Sequence, residues 1–236
     1  IGFVLKSNLE LEKAYFLFKI ISNKALTSFG KKLLNIILTF KLPFLFIVKK
    51  TVFQHFCSGS NLEESMETVN KLFSKNVYSY LSYSVEGAQN NDSFEKSCQD
   101  VIDSIEFASD KKNIPFTVFK PTAISKTDNL MRGRIDKIIF DRFDRICKKA
   151  SQKNVKILID AEESWIQDSI DSIVLMMMKK YNKQKTIVFN TVQMYRHDRL
   201  EYLKDLNNSS KQNDFKIGIK LVRGAYIEKE NIRAKK

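Results

Sequence analysis

The chain has 236 residues, 43% hydrophobic and 28% charged, and its 40 Lys and Arg against 27 Asp and Glu give a formal net charge of +13. That length holds one large domain or two small ones, and the apolar fraction supports a packed core, which argues against intrinsic disorder. Three scattered cysteines, Cys57, Cys98 and Cys147, with no C-x-x-C pair, argue against a disulfide framework or structural zinc and fit a reducing compartment, while lysines spread along the chain read as a solvated basic surface rather than a nucleic-acid site.

Residues 1–76 read as a helical region. No secretory signal follows Ile1, and the missing initiator Met reads as a start within a longer protein. Apolar residues recur at helical spacing through Leu11–Ile21. The stretch Leu33–Val48 is apolar too, but it contains Asn35, Lys41 and Pro43 and falls short of the ~20 apolar residues of a membrane span. Pro43 should split it into two short helices packed on a neighbouring core, with a membrane-surface helix as the minority reading. Ser60 to Glu63 then has capping-box form and should open a helix running to about Ser74.

From residue 77 the pattern changes to short β-prone runs, Tyr78–Val85, Phe116–Lys120, Val155–Asp160, Thr186–Asn190 and Lys216–Val222, alternating with amphipathic helices. One helix gathers Phe94, Cys98, Val101, Ile102, Ile105 and Ala108 on a face; the next gathers Ile135, Ile139, Phe143, Ile146 and Ala150. Alternation of strand and helix predicts an α/β fold with a parallel sheet. Four runs end in or near a polar side chain, Lys120, Asp160, Asn190 and Lys220, about one βα unit apart, the phase expected where a (β/α)8 barrel builds its active site at the C-terminal strand ends. Parity sharpens Lys220: Ile217, Ile219 and Leu221 share one face of their strand, so the lysine points to the other, into the barrel. Taken singly, Lys120 and Asn190 read as ordinary strand-end residues and Asp160 as a helix cap. A lysine inside an apolar strand instead calls for an anionic partner or ligand.

Seven glycines contain no G-x-G pair, so neither the dinucleotide-binding fingerprint nor the phosphate-binding loop is present. Only His55 and His197 occur, which argues against a histidine metal centre or a Ser-His-Asp triad, and no metal site is expected.

The strings Asp-Ala-Glu-Glu at 160–163, Phe-Asn-Thr-Val-Gln at 189–193 and Lys-Leu-Val-Arg-Gly-Ala-Tyr at 220–226 resemble the proline dehydrogenase family. Weaker matches lie at 83–87 and 119–124, and the resemblance runs over about residues 50–236. It implies a TIM-type (β/α)8 barrel that carries FAD and oxidises L-proline to Δ1-pyrroline-5-carboxylate. Residues 77–236 would form its first five βα units, incomplete after about strand five. The resemblance makes Lys120 a cation of the substrate pocket, with Tyr226 in its wall, and Asp160 an acidic active-site residue that orders its neighbours. It makes Asn190 and Lys220 hydrogen-bonding partners of the isoalloxazine, with Lys220 at the redox-active edge, and brings backbone groups of Val222, Gly224 and Ala225 against the flavin. It would make Glu86 an internal counter-ion for the cationic site. A quinone as electron acceptor, and a cytoplasmic location with peripheral contact to an energy-transducing inner membrane (mitochondrial in a eukaryote), are further implications.

The sequence departs from the family pattern at Ser82, where many relatives carry an acid, and stops before the family's late pair of adjacent arginines. The fragment alone is therefore expected to be inactive, to bind FAD poorly and to aggregate. The alternatives are another flavin- or phosphate-ligand barrel enzyme, or a non-catalytic basic binding module.

Overall fold

Ser7 opens the first helix, α1 (Asn8–Ser22), through a reciprocal cap: its hydroxyl accepts the Glu10 N–H while the Glu10 carboxylate accepts the Ser7 N–H at 2.7 Å. Asn23 ends α1 and caps α2 (Lys24–Thr39). Pro43 lies between α2 and the short α3 (Leu45–Val48), as a residue that cannot continue the hydrogen-bond ladder should. A π-helical turn, Lys49–Phe53, leads to α4 (Gln54–Phe56), and α5 follows (Leu62–Phe73). The cap of α5 sits one residue later than expected. Asn61 accepts the Glu64 N–H at 2.7 Å, and the Glu64 carboxylate accepts the Ser60 N–H at 2.8 Å. Asparagine caps as well as serine, and this phase buries Ser65 and Val69 on one face. The apolar residues of α1 and α2 are mostly exposed rather than packed: α1 buries none and α2 only Ile37.

The computed structural model describes residues 3, 5–40, 42–82, 90–131, 133 and 135–235. The chain divides into two compact units, Ile1–Tyr78 and Ser79–Lys236. The second begins with β1 (Tyr80–Ser82) and alternates strand with helix thereafter, with a 3-10 turn and an extra short helix after β2: α6 (Asn91–Ala108), β2 (Phe116–Phe119), the 3-10 turn at Pro121–Ala123, α7 (Thr127–Met131), α8 (Lys137–Lys153), β3 (Lys156–Ile159), α9 (Ser164–Tyr181), β4 (Val188–Gln193), α10 (Arg199–Asn213), β5 (Ile219–Val222) and α11 (Ile227–Ala234). All five strands are parallel, in the order β1-β2-β3-β4-β5. That order separates two architectures. A doubly wound sheet reverses direction at a switch point, whereas a (β/α)8 barrel adds each strand beside the last. The five βα units advance without reversal and are therefore of the barrel kind.

Contacts assign the two faces of the sheet. The Phe119 ring meets Phe143 of α8 edge-on at 5.4 Å, so Phe119 faces the helices. The Phe116 ring meets Phe189, two strands away, at 5.5 Å, so that parity faces the concave side. The helix-facing layer has an apolar core: Ile157, Ile159, Ile105, Phe143 and Ile146 are fully buried. Both expected helix faces form this layer, apart from Ile135, which lies just before α8, and half-buried Ile102.

Candidate active site

Register carries the face assignment up to the C-terminal strand ends. Phe119 pairs with Ile159, Ile159 with Asn190 and Asn190 with Ile219, forming one helix-facing row. One residue further on, Lys120, Asp160, Thr191 and Lys220 form the next row, facing the concave side, with Thr191 opposite Lys220. Three of the four polar residues expected from the sequence thus come together, and the β4 place belongs to Thr191.

Asn190 is the residue that moves. β4 starts at Val188 and continues to Gln193, so Asn190 lies inside the strand instead of at its end. It is fully buried, and its amide donates to Asp171 Oδ1 of α9 at 2.9 Å and to the Tyr202 hydroxyl of α10 at 2.7 Å. Both partners lie in the helical layer, so the flavin contact expected of Asn190 finds no support in this placement. A polar residue in an apolar run looked like a strand end because its buried partner is remote in sequence.

Lys220 donates to Asp160 Oδ1 at 2.7 Å, each side chain about a quarter exposed. The lysine inside the strand therefore has the anion its position demands, and its ammonium also lies 5.6 Å from the Tyr80 ring centroid. Beside it, Thr191 Oγ1 is buried with no hydrogen-bond partner among the described residues. Tyr226 is half-buried, and burial, reinforced by Glu162, Glu163 and Asp160, raises its hydroxyl pKa well above the ordinary value. Gly224 has φ +136°, and a β-carbon there would lie 1.5 Å from the Tyr195 ring. The Val222 carbonyl accepts the Met194 N–H at 2.8 Å, and the Ala225 N–H donates to Gln193 Oε1 at 3.1 Å. Those two backbone groups therefore fasten the end of β5 to β4. Glu86 and the weak match at 83–87 lie outside the described residues; Ser82 ends β1 in register with Val118.

Two residues of this region carried no assigned role in the sequence reading. Glu162 is 4% exposed and accepts the Thr122 N–H at 2.8 Å and the Thr122 hydroxyl at 2.7 Å. Burial raises its carboxyl pKa, the Thr122 bonds opposing the shift. Gln193 donates to the Glu162 carbonyl at 2.8 Å, and it has the concave parity of Phe189 and Thr191. Parity applied to the whole of 188–193 would have found it. Glu163 is paired with Lys229 of α11, whose Glu230 accepts the Ser164 N–H at the start of α9 at 2.9 Å.

The donor set fits a flavin in kind. An ammonium has three donors, of which Asp160 takes one, and the buried Thr191 hydroxyl beside it needs a partner.

The family model described as proline dehydrogenase matches residues 65–236. A carbapenem antibiotics biosynthesis protein, CarD, of Pectobacterium carotovorum subsp. carotovorum is 30% identical over 73% of this chain and 49% of its own length. Mitochondrial proline dehydrogenase 1 of Dictyostelium discoideum is 26% identical over 99% of this chain and 50% of its own. The chain thus spans about half the length of these curated relatives. Among solved structures, proline utilization A from Bdellovibrio bacteriovorus, inactivated by N-propargylglycine, superposes with a TM-score of 0.71 at 16% identity, covering 80% of this chain and 22% of that one. Its counterpart from Corynebacterium freiburgense gives 0.61 at 16% identity over 72% and 18%. At these identities the likeness is one of fold.

Proposed function

The chain belongs to the proline dehydrogenase family, and on that premise we propose that its protein oxidises L-proline to Δ1-pyrroline-5-carboxylate with FAD, passing the electrons on to a quinone. The observation that supports this reading best is the concave row Lys120, Asp160, Thr191 and Lys220 at the C-terminal ends of successive strands, where barrel enzymes place their chemistry. FAD, when bound, supplies the two-electron acceptor for the hydride that leaves the ring carbon beside nitrogen.

The residues supply positioning and charge. Lys120 attracts the proline carboxylate, and Tyr226 closes the pocket wall over the ring. Lys220 and the Thr191 hydroxyl would hold the flavin ring edge, with backbone groups around Val222, Gly224 and Ala225 beside it. A fixed ammonium there stabilises negative charge that develops during the reaction. Asp160 holds Lys220 in place through the 2.7 Å pair. The substrate amine must be neutral, because its lone pair forms the C=N bond as hydride leaves the neighbouring ring carbon; no protein nucleophile takes part.

We assign residues 77–236 to the first five βα units of the barrel that carries this chemistry and residues 1–76 to an N-terminal helical region. The names of the eukaryotic relatives support a mitochondrial location; peripheral contact with a membrane is part of the proposal. No helix among the described residues is long and apolar enough to cross a membrane.

The test is anaerobic rapid mixing of the flavin-loaded protein with proline. Lys220→Met should slow flavin bleaching about a hundredfold while weakening proline binding only a few-fold; an unchanged bleaching rate would refute the assignment. Hydroxyproline in the same experiment tests whether the protein prefers that substrate to proline.

A further inference from the structure

Four loops meet around Glu162. Its carboxylate takes both the N–H (2.8 Å) and the hydroxyl (2.7 Å) of Thr122, in the turn that follows β2. Its own N–H donates to Gln167 Oε1 of α9 at 2.9 Å. Its carbonyl accepts Gln193 Nε2, at the end of β4, at 2.8 Å, and Gln193 Oε1 in turn accepts the Ala225 N–H after β5 at 3.1 Å. A hydrogen-bonded belt therefore runs Thr122, Glu162, Gln193, Ala225 across the ends of β2, β3, β4 and β5. Lys120 heads the turn that Glu162 grips, its carbonyl accepting the Ala123 N–H at 3.0 Å. A carboxyl group 4% exposed is costly to bury, and its two bonds to Thr122 offset that cost.

We propose that Glu162 is a positioning residue, which fixes the Pro121–Ala123 turn so that the Lys120 ammonium stands where a substrate carboxylate binds. This deepens the proline-oxidation reading and rests on it. Glu162 touches neither substrate nor cofactor in this scheme and acts through Lys120.

The test is a cycle in the flavin-loaded protein. Glu162→Ala should raise the KM for proline about ten- to hundredfold while kcat changes less than about threefold, since a group misplaced by about 1 Å loses binding of that order. Lys120→Ala should raise KM at least as much, and the double variant should be no worse than Lys120→Ala alone. Glu162→Gln, which can still accept the Thr122 N–H and donate to its hydroxyl, should restore KM to within about threefold of wild type. A readout independent of turnover is amide hydrogen exchange over 120–125, which should accelerate in Glu162→Ala and not in Glu162→Gln. If Glu162→Ala fails to fold, Thr122→Val replaces it in the cycle, since it removes one of the two bonds and leaves the acid. Additive KM effects of Glu162 and Lys120, or unchanged exchange at the turn, overturn the positioning role alone. Wild-type protein whose flavin proline does not reduce overturns the proline reading, and the positioning role falls with it.

Discussion

At Gly224 the backbone takes φ +136°, and the Tyr195 ring fills the space a side chain would need. Only glycine avoids both costs. Gly224→Ala should lower stability by about 3 kcal/mol or more, combining backbone strain with overpacking; a melting temperature within a degree or two of wild type would contradict the geometry. Glu162 gives a second residue-scale expectation. Its folded pKa is raised above the ordinary 4.5, chiefly by burial, so the folded state holds its proton more tightly than the unfolded chain. The corresponding stability is fully present below pH 4.5 and is lost as pH rises through the raised value. Urea midpoints measured upward from pH 4.5 should therefore fall with a component that Glu162→Gln removes. An identical profile in the variant would show that the acid is not desolvated as described.

Helix α8 shows how an amphipathic element takes its place. Ile139, Phe143, Ile146, Cys147 and Ala150 are buried, with the Phe143 ring on Phe119 of the sheet, while Ile138 is 52% exposed. Phe143→Ala should cost about 3–5 kcal/mol and Ile138→Ala less than about 1 kcal/mol, because only the first leaves a cavity in a close-packed layer. Chemical denaturation of both variants checks the contrast; equal losses would mean that the helix is not seated on this face. Asn154, at φ 53° and ψ 35°, ends α8 in the left-handed region, which asparagine tolerates better than most residues. The helix thus stops where its last buried turn ends, and β3 begins two residues later.

Across the second unit, each of the two outer strands has one hydrogen-bonded neighbour among the described residues: β1 pairs with β2, and β5 with β4. Leu221 of β5 is 62% exposed. Unpaired strand edges and exposed apolar side chains template association. The isolated 236-residue chain should therefore self-associate as its concentration rises, a trend that light scattering follows. The charge of +13 opposes association at low salt, so added salt should promote it as screening shortens the range of repulsion. A monomer at every concentration and salt level would count against the exposed edges.

Much of this was legible in the amino-acid sequence. Local patterns, apolar runs of four to six residues and helical faces three or four residues apart, determined the βα alternation, the helices on one side of the sheet and the inward direction of Lys220. Each depends only on the period of the backbone and on the exclusion of apolar groups from water. What the sequence could not decide was phase and partnership. β4 extends past Asn190 because Thr191 and Gln193 have partners or neighbours on other strands. Asn190 turns outward because Asp171 and Tyr202, 19 residues before it and 12 after, accept or share its amide. The α5 cap lies at Asn61 instead of Ser60, in the phase that buries Val69. The belt through Glu162 joins residues 31 to 40 positions apart. Hydrogen bonds between buried polar groups are satisfied by whichever donor the fold brings within about 3 Å. That choice belongs to the tertiary structure, while the periodic placement of apolar residues belongs to the sequence alone.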